Sequence, residues 1–116
     1  MNRLDLYYDV VIAGCGVAGL YTALHLPRDK RILMLSKEDL KSCDSMLAQG
    51  GICVLRDAAD YAPYFEDTMK AGHYENRRES VDIMIRESRL AIDTLLGLGV
   101  RFEKNEDGSL KYTREG

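Results

Sequence analysis

Six residues, Gly14-Cys15-Gly16-Val17-Ala18-Gly19, spell G-x-G-x-x-G where an apolar, β-branched run gives way to a helical one. No other feature constrains the fold of this chain as much. Upstream, Tyr7-Tyr8-Asp9-Val10-Val11-Ile12-Ala13 is apolar almost throughout, which predicts a strand buried on both faces, as in a parallel sheet. Downstream, Leu20, Ala23 and Leu24 recur at helical spacing until Pro27 forbids continuation. Arg31-Ile32-Leu33-Met34-Leu35 is a second short apolar run. Strand, helix and strand within about thirty residues form a βαβ unit, so the expected class is α/β, built on a Rossmann-like dinucleotide-binding unit.

In such a unit each glycine has a separate task. Gly14 permits the tight turn, Gly16 lets main-chain amides approach a pyrophosphate, and Gly19 lets helix and strand come close. The amides of Val17 and Ala18 and the positive end of the helix then meet the ligand's charge. Cys15, between two glycines, reads as a small filler rather than a redox thiol. A glycine-rich turn without nucleotide is the competing reading, and the agreement of strand, spacing and helix outweighs it. The usual acidic residue at the end of the second strand is replaced by Ser36-Lys37, with Glu38 one place beyond. Lys37 suits a 2′-phosphate and hence NADP, whereas Ser36 suits the ribose of FAD with Lys37 along its edge; the glycine motif alone leaves both open.

From Lys37 to Gly51 there is neither helical nor strand period, which predicts an extended loop. Asp60 is placed to cap a helix from about Pro63 to Ala71, ending at Gly72. A longer helix is expected from about Glu79, with Val81, Met84, Ile85, Ser88, Ile92, Leu95 and Leu96 on one face and Gly97 and Gly99 at its end. Alternation from Val100 to Tyr112 around Asp107-Gly108 predicts a short hairpin.

The loop carries the most specific string, Ser42-Cys43-Asp44-Ser45-Met46-Leu47-Ala48-Gln49-Gly50-Gly51-Ile52. It resembles the S-x-x-x-A-Q-G-G segment of the fumarate reductase, succinate dehydrogenase and aspartate oxidase superfamily of flavoproteins. The resemblance implies FAD, with residues Asp44 to Gly51 wrapping the pyrophosphate and isoalloxazine and with Gln49 against the ring. Gly50 and Gly51 suit close main-chain approach to a flat ring, and Gln49 offers both a donor and an acceptor. Asp44 stands where one branch of the superfamily carries the histidine that bonds covalently to flavin, so the implied cofactor is non-covalent FAD. The aspartate oxidases, which lack that histidine, are the branch this chain looks most like. Tyr64 to Gly72 resembles their E-D-T-x-x-A-G helix, and Thr113-Arg114-Glu115-Gly116 resembles the start of their T-R-E-G-G-H motif. By that resemblance Glu115 contacts substrate, where a carboxylate facing an α-ammonium would favour aspartate over succinate.

The likeness implies oxidation of L-aspartate to iminoaspartate, with electrons passed to oxygen or fumarate. It implies a place at the head of quinolinate and NAD biosynthesis, and quinolinate synthase as a partner. It further implies that residues 1–116 are the amino-terminal part of an FAD-binding domain, without the capping domain and the carboxy-terminal helical domain, and hold no catalytic residue. A non-covalent fumarate or succinate flavoprotein is the first alternative, and a stand-alone dinucleotide-binding module is the second. A formal net charge of -3 and a pI near 5.4 argue against nucleic acid as a partner. The apolar runs are too short to span a membrane and the start lacks a signal-peptide pattern, so a cytoplasmic protein is expected. Three cysteines without a C-x-x-C pair, and two histidines, predict neither a disulfide framework nor a metal site.

Overall fold

The computed structural model describes residues 7–48 and 50–114, which form two compact units, Met1–Gly51 and Ile52–Gly116. The first unit holds β1 (Val10–Ala13), α1 (Val17–His25) and β2 (Ile32–Leu35), in the βαβ order expected. β1 and β2 run parallel, with Val10 opposite Ile32 and Ala13 opposite Leu35. Asp9 starts the pairing: its N–H donates to the Arg31 carbonyl at 2.9 Å and its carboxylate accepts from the Arg31 N–H at 2.8 Å. At the other end the Gly14 N–H donates to the Leu35 carbonyl at 2.8 Å, carrying the ladder into the glycine turn.

The expectation of a strand buried on both faces is not met. β1 alternates half-buried and exposed positions, with Val11 58% exposed. Two strands and one helix cover one face of the sheet, so the apolar run cannot be sheathed on both sides within this unit. After β2 the expected extended loop instead contains a 3₁₀ turn, Leu40–Ser42, and a short helix α2, Asp44–Leu47. Neither is long enough to impose a hydrophobic period on the sequence.

The second unit is built on α3 (Tyr61–Ala71) and α4 (Arg78–Gly97). Its core is Met69 from α3 with Val81 and Ile85 from α4, flanked by Leu55, Tyr61, Tyr64 and Phe65. Ile85 is fully buried, and a side chain of that size contributes about 1.5–3 kcal/mol on leaving water. Ser88 reaches off the same helix, where its hydroxyl accepts from the Leu55 N–H at 2.9 Å. Met84, expected on this face, is 47% exposed instead. The α4 stripe is therefore narrower than the sequence pattern, and Val81, Ile85 and Ile92 are its buried positions.

Two end signals are relocated. Asp60 makes no capping hydrogen bond; Asp57 does, accepting from the Ala59 and Asp60 amides at 2.8 and 3.2 Å ahead of a 3₁₀ turn, Ala58–Asp60. The extra turn moves the cap three residues upstream. α3 does stop at Gly72, but the left-handed residues of that corner are His73 and Tyr74. The expected hairpin reduces to one antiparallel bridge, Lys104 to Leu110, closed by the Gly108 N–H donating to the Asn105 carbonyl at 2.9 Å. The turn forms, with Gly108 at φ 83°. No strand flanks it among the described residues.

Candidate functional site

Parallel strands end in a crevice where loops diverge, which is where open α/β sheets hold their ligands. At the carboxyl ends of β1 and β2 lies a cleft of about 480 Å³ lined by Gly14, Cys15 and Gly16 from the glycine turn and by residues 36–39 and 42–45. The sequence-predicted residues Ser36, Lys37, Asp44 and Ser45 thus stand around the same space as the first three positions of the fingerprint. Glu38, Asp39, Ser42 and Cys43 line it too and were not expected at the site. Ser42 and Cys43 open the flavoprotein-like string, whereas Glu38 and Asp39 had adjacency alone as a signal, since the chain curls back after β2 and brings the whole stretch round to the turn.

The glycine turn has the geometry its spacing predicts. Gly14 sits at φ 111°, a conformation that strains any side chain. A Cβ on Gly19 would lie 2.1 Å from the Gly14 carbonyl oxygen and 3.2 Å from Ile12 Cγ2, so the third glycine marks close contact between α1 and the end of β1. Among the described residues nothing lies within 4 Å of a Cβ on Gly14, and a Cβ on Gly16 would meet only Ser45, whose Oγ lies 3.0 Å away. Cys15 is buried, as a filler would be.

Helix α1 begins at this turn, and its first amides need acceptors. The Val17 N–H donates to Ser45 Oγ at 3.0 Å. The Ala18 and Gly19 amides, next in the same turn, have no hydrogen-bond acceptor among the described residues. An anionic diphosphate fits this donor set: open space over Gly14, one hydroxyl over Gly16, and the positive end of a nine-residue helix behind them.

The remaining expected contacts are dispersed. Met46 and Leu47 on α2 are 63% and 66% exposed, Ala48 is also exposed, and Gly50 takes a left-handed φ of 115° that favours glycine. With Gly51 they stand outside the lining of the cleft. Gln49 and Glu115 lie outside the described residues.

The second unit has a shallower concavity of about 490 Å³ lined by Tyr61, Phe65, Arg78, Glu79, Asp82 and Ile83. Here the Tyr61 hydroxyl donates to Asp82 Oδ1, which also accepts from Arg86 Nε at 2.8 Å. These bonds, Tyr61's first, hold the Asp82 carboxyl below the usual carboxylate range. The Asp82 acceptor in turn holds the Tyr61 phenol above its ordinary value. Arg78 and Arg86 lie over the Phe65 and Tyr61 rings at 4.9 and 4.6 Å from their centroids. Asp82 and Arg86 are paired with each other and with Tyr61, and Arg78 lies on Phe65, so the cluster reads as structural support for the α3–α4 pair.

The profile of a family described as FAD binding domain matches residues 9–116. An L-aspartate oxidase of Clostridium acetobutylicum is 49% identical over 113 residues, 97% of this chain and 26% of that protein. That of Clostridium perfringens is 50% identical over 108 residues, covering 93% and 24%. The chloroplastic L-aspartate oxidase of Arabidopsis thaliana is 33% identical over 111 residues, covering 95% and 17%. The chain therefore spans about a quarter of the length of the two clostridial relatives. No solved structure gives a significant match.

Proposed function

Since the chain belongs to the FAD binding domain family, whose cofactor is FAD, we propose that it is the FAD-gripping amino-terminal part of an L-aspartate oxidase, residues 1–116 forming one portion of a Rossmann-like FAD-binding domain. The observation that carries the proposal is the shared cleft: Gly14, Cys15 and Gly16 line it together with Ser36, Lys37, Asp44 and Ser45.

When bound, FAD would accept a hydride from the substrate's α-carbon. The chain's own residues bind and orient it. The amides of Val17, Ala18 and Gly19 hold the pyrophosphate against the helix end. Ser36 and Lys37 serve the ribose side, while Asp44 to Gly51 form the wrap that reaches the flavin ring, with Gln49 as its polar contact. Aspartate at position 44 cannot make a histidyl linkage, so the cofactor is held without a covalent bond. Glu115 faces the α-ammonium of L-aspartate and helps to reject succinate. The groups that bind the substrate carboxylates and assist C–H cleavage belong to parts of the enzyme outside this span. The product is iminoaspartate, electrons pass to oxygen or fumarate, and quinolinate synthase takes the product towards NAD in the cytoplasm. No helix among the described residues is long and apolar enough to cross a membrane.

The test is anaerobic flavin reduction by the full-length polypeptide that carries these residues. L-aspartate should bleach the flavin absorbance and succinate should not. Bleaching by succinate alone would transfer the proposal to the fumarate and succinate branch, and a protein that binds adenine nucleotide without flavin would end it.

A further inference from the structure

Ser45 holds two things that a pyrophosphate needs. Its Oγ accepts the Val17 N–H at 3.0 Å, one of the first-turn amides of α1. It also stands 3.0 Å from the position of a Cβ on Gly16, the glycine whose missing side chain lets a diphosphate approach the main chain. Among the described residues, and apart from the chain neighbours of Gly16, no other atom comes within 4 Å of that position except Cβ of Ser45 itself. A hydroxyl and a phosphate oxygen cannot share one N–H and one volume.

We propose that the Ser45 hydroxyl is an internal stand-in for a pyrophosphate oxygen, which FAD displaces from the Val17 amide on binding. This rests on the FAD reading above and concerns how the cofactor is captured. Ser45 is carried on α2, a helix of four residues, and is itself exposed. Withdrawing it requires movement of one short turn and leaves β1, α1 and β2 in place. Once withdrawn, the same hydroxyl can turn from acceptor to donor towards the phosphate. Ser45 thereby couples the arrival of cofactor to the position of α2.

The contact resembles a helix cap in chemistry, and a cap of ordinary strength populates the closed arrangement about fivefold over the open one. FAD association with the full chain, followed by flavin fluorescence in a stopped-flow instrument, should therefore be about fivefold faster for Ser45→Ala than for the unaltered chain. Ser45→Thr, which keeps the oxygen, should associate at close to the original rate. In the unaltered chain without added FAD, the Val17 amide should exchange its hydrogen about fivefold more slowly than the Ala18 amide after correction for intrinsic rates, and Ser45→Ala should abolish the difference. This second measurement stands even where the alanine variant is too unstable for binding work, because protection of Val17 is read in the unaltered chain. Equal or slower association for Ser45→Ala with faster release would mean that Ser45 is simply a ligand and would overturn the inference. An unprotected Val17 amide would overturn it as well. FAD that binds neither the unaltered chain nor the variants would overturn the FAD reading and this inference with it, a result distinct from binding at unchanged rates.

Discussion

Replacing Gly19 by alanine sets two ordinary effects against each other. Gly19 is the third residue of α1, and alanine inside a helix is favoured over glycine by about 1 kcal/mol. Propensity alone thus predicts a more stable protein. Packing predicts the reverse, because the new Cβ would lie 2.1 Å from the Gly14 carbonyl oxygen, whereas carbon and carbonyl oxygen meet at about 3.3 Å. The helix start or the strand end must then move by about 1 Å, the difference between those two distances. The obstruction is main chain, with Ile12 Cγ2 at 3.2 Å behind it, so no flexible side chain can give way. Overpacking of this kind costs about 3 kcal/mol at the upper end of its usual range. The net expectation for Gly19→Ala is a loss of about 2 kcal/mol, or a shift of the urea midpoint by about 1 M for a small domain. Urea denaturation followed by far-ultraviolet circular dichroism measures it. A variant as stable as the parent, or more so, would mean that α1 and the end of β1 are not in close contact, and the glycine spacing would lose its physical reading.

Gly16→Val should abolish flavin binding, since its side chain fills the approach to the main chain; a variant purified with full flavin absorbance would refute the assignment. Asp57→Ala should cost about 1 kcal/mol through loss of its two cap bonds while Asp60→Ala costs a few tenths at most, a contrast that thermal melts can check. Ile85→Ala should lose about 2–5 kcal/mol and Met84→Ala far less, and equal losses would show that the α4 stripe is wider than described. Because the folded-state Asp82 carboxyl is depressed, its contribution is present above the unfolded value and is lost as pH falls through the folded one; Asp82→Asn should flatten that part of the acid unfolding curve, and an unchanged curve would count against the Tyr61–Asp82–Arg86 arrangement.

The elements legible in the sequence were those with a repeat or a forced stop. Pro27 bounds α1, and the 3.6-residue stripe together with the glycines near its end bounds α4. Both strands were found a little long, since the apolar run at Tyr7 begins before the pairing does. What could not be read lies below the length of a repeat. The turn at Leu40–Ser42 and helix α2 are three and four residues, too short for a periodic pattern. The identity of the cap was misread because Asp57 and Asp60 are chemically equivalent and only the intervening 3₁₀ turn decides between them. Gly14, Gly16 and Ser45 could be nominated for the cleft from motifs, but Glu38 and Asp39 could not, because their place there depends on how the chain turns after β2.

That turn poses an electrostatic question which the fold itself answers. The lining of the cleft carries Lys37 against Glu38, Asp39 and Asp44, an excess of carboxylates around a site suited to a diphosphate. All four of these side chains are exposed, so each acts through water, where a unit pair at 4 Å is worth about 1 kcal/mol before salt screens it further. The opposing attraction would come from amides meeting the anion at hydrogen-bond distance, with the axis of α1 aligned behind them. Bonds from fixed donors to a charged acceptor are short-ranged and individually stronger than screened surface charges. A site gripping through the main chain can therefore tolerate acidic neighbours that a site gripping through lysine and arginine could not. A negative net charge likewise weighs more against a polyphosphate strand than against one dinucleotide: the strand must be matched charge by charge along its length, whereas the dinucleotide needs one helix end and three glycines.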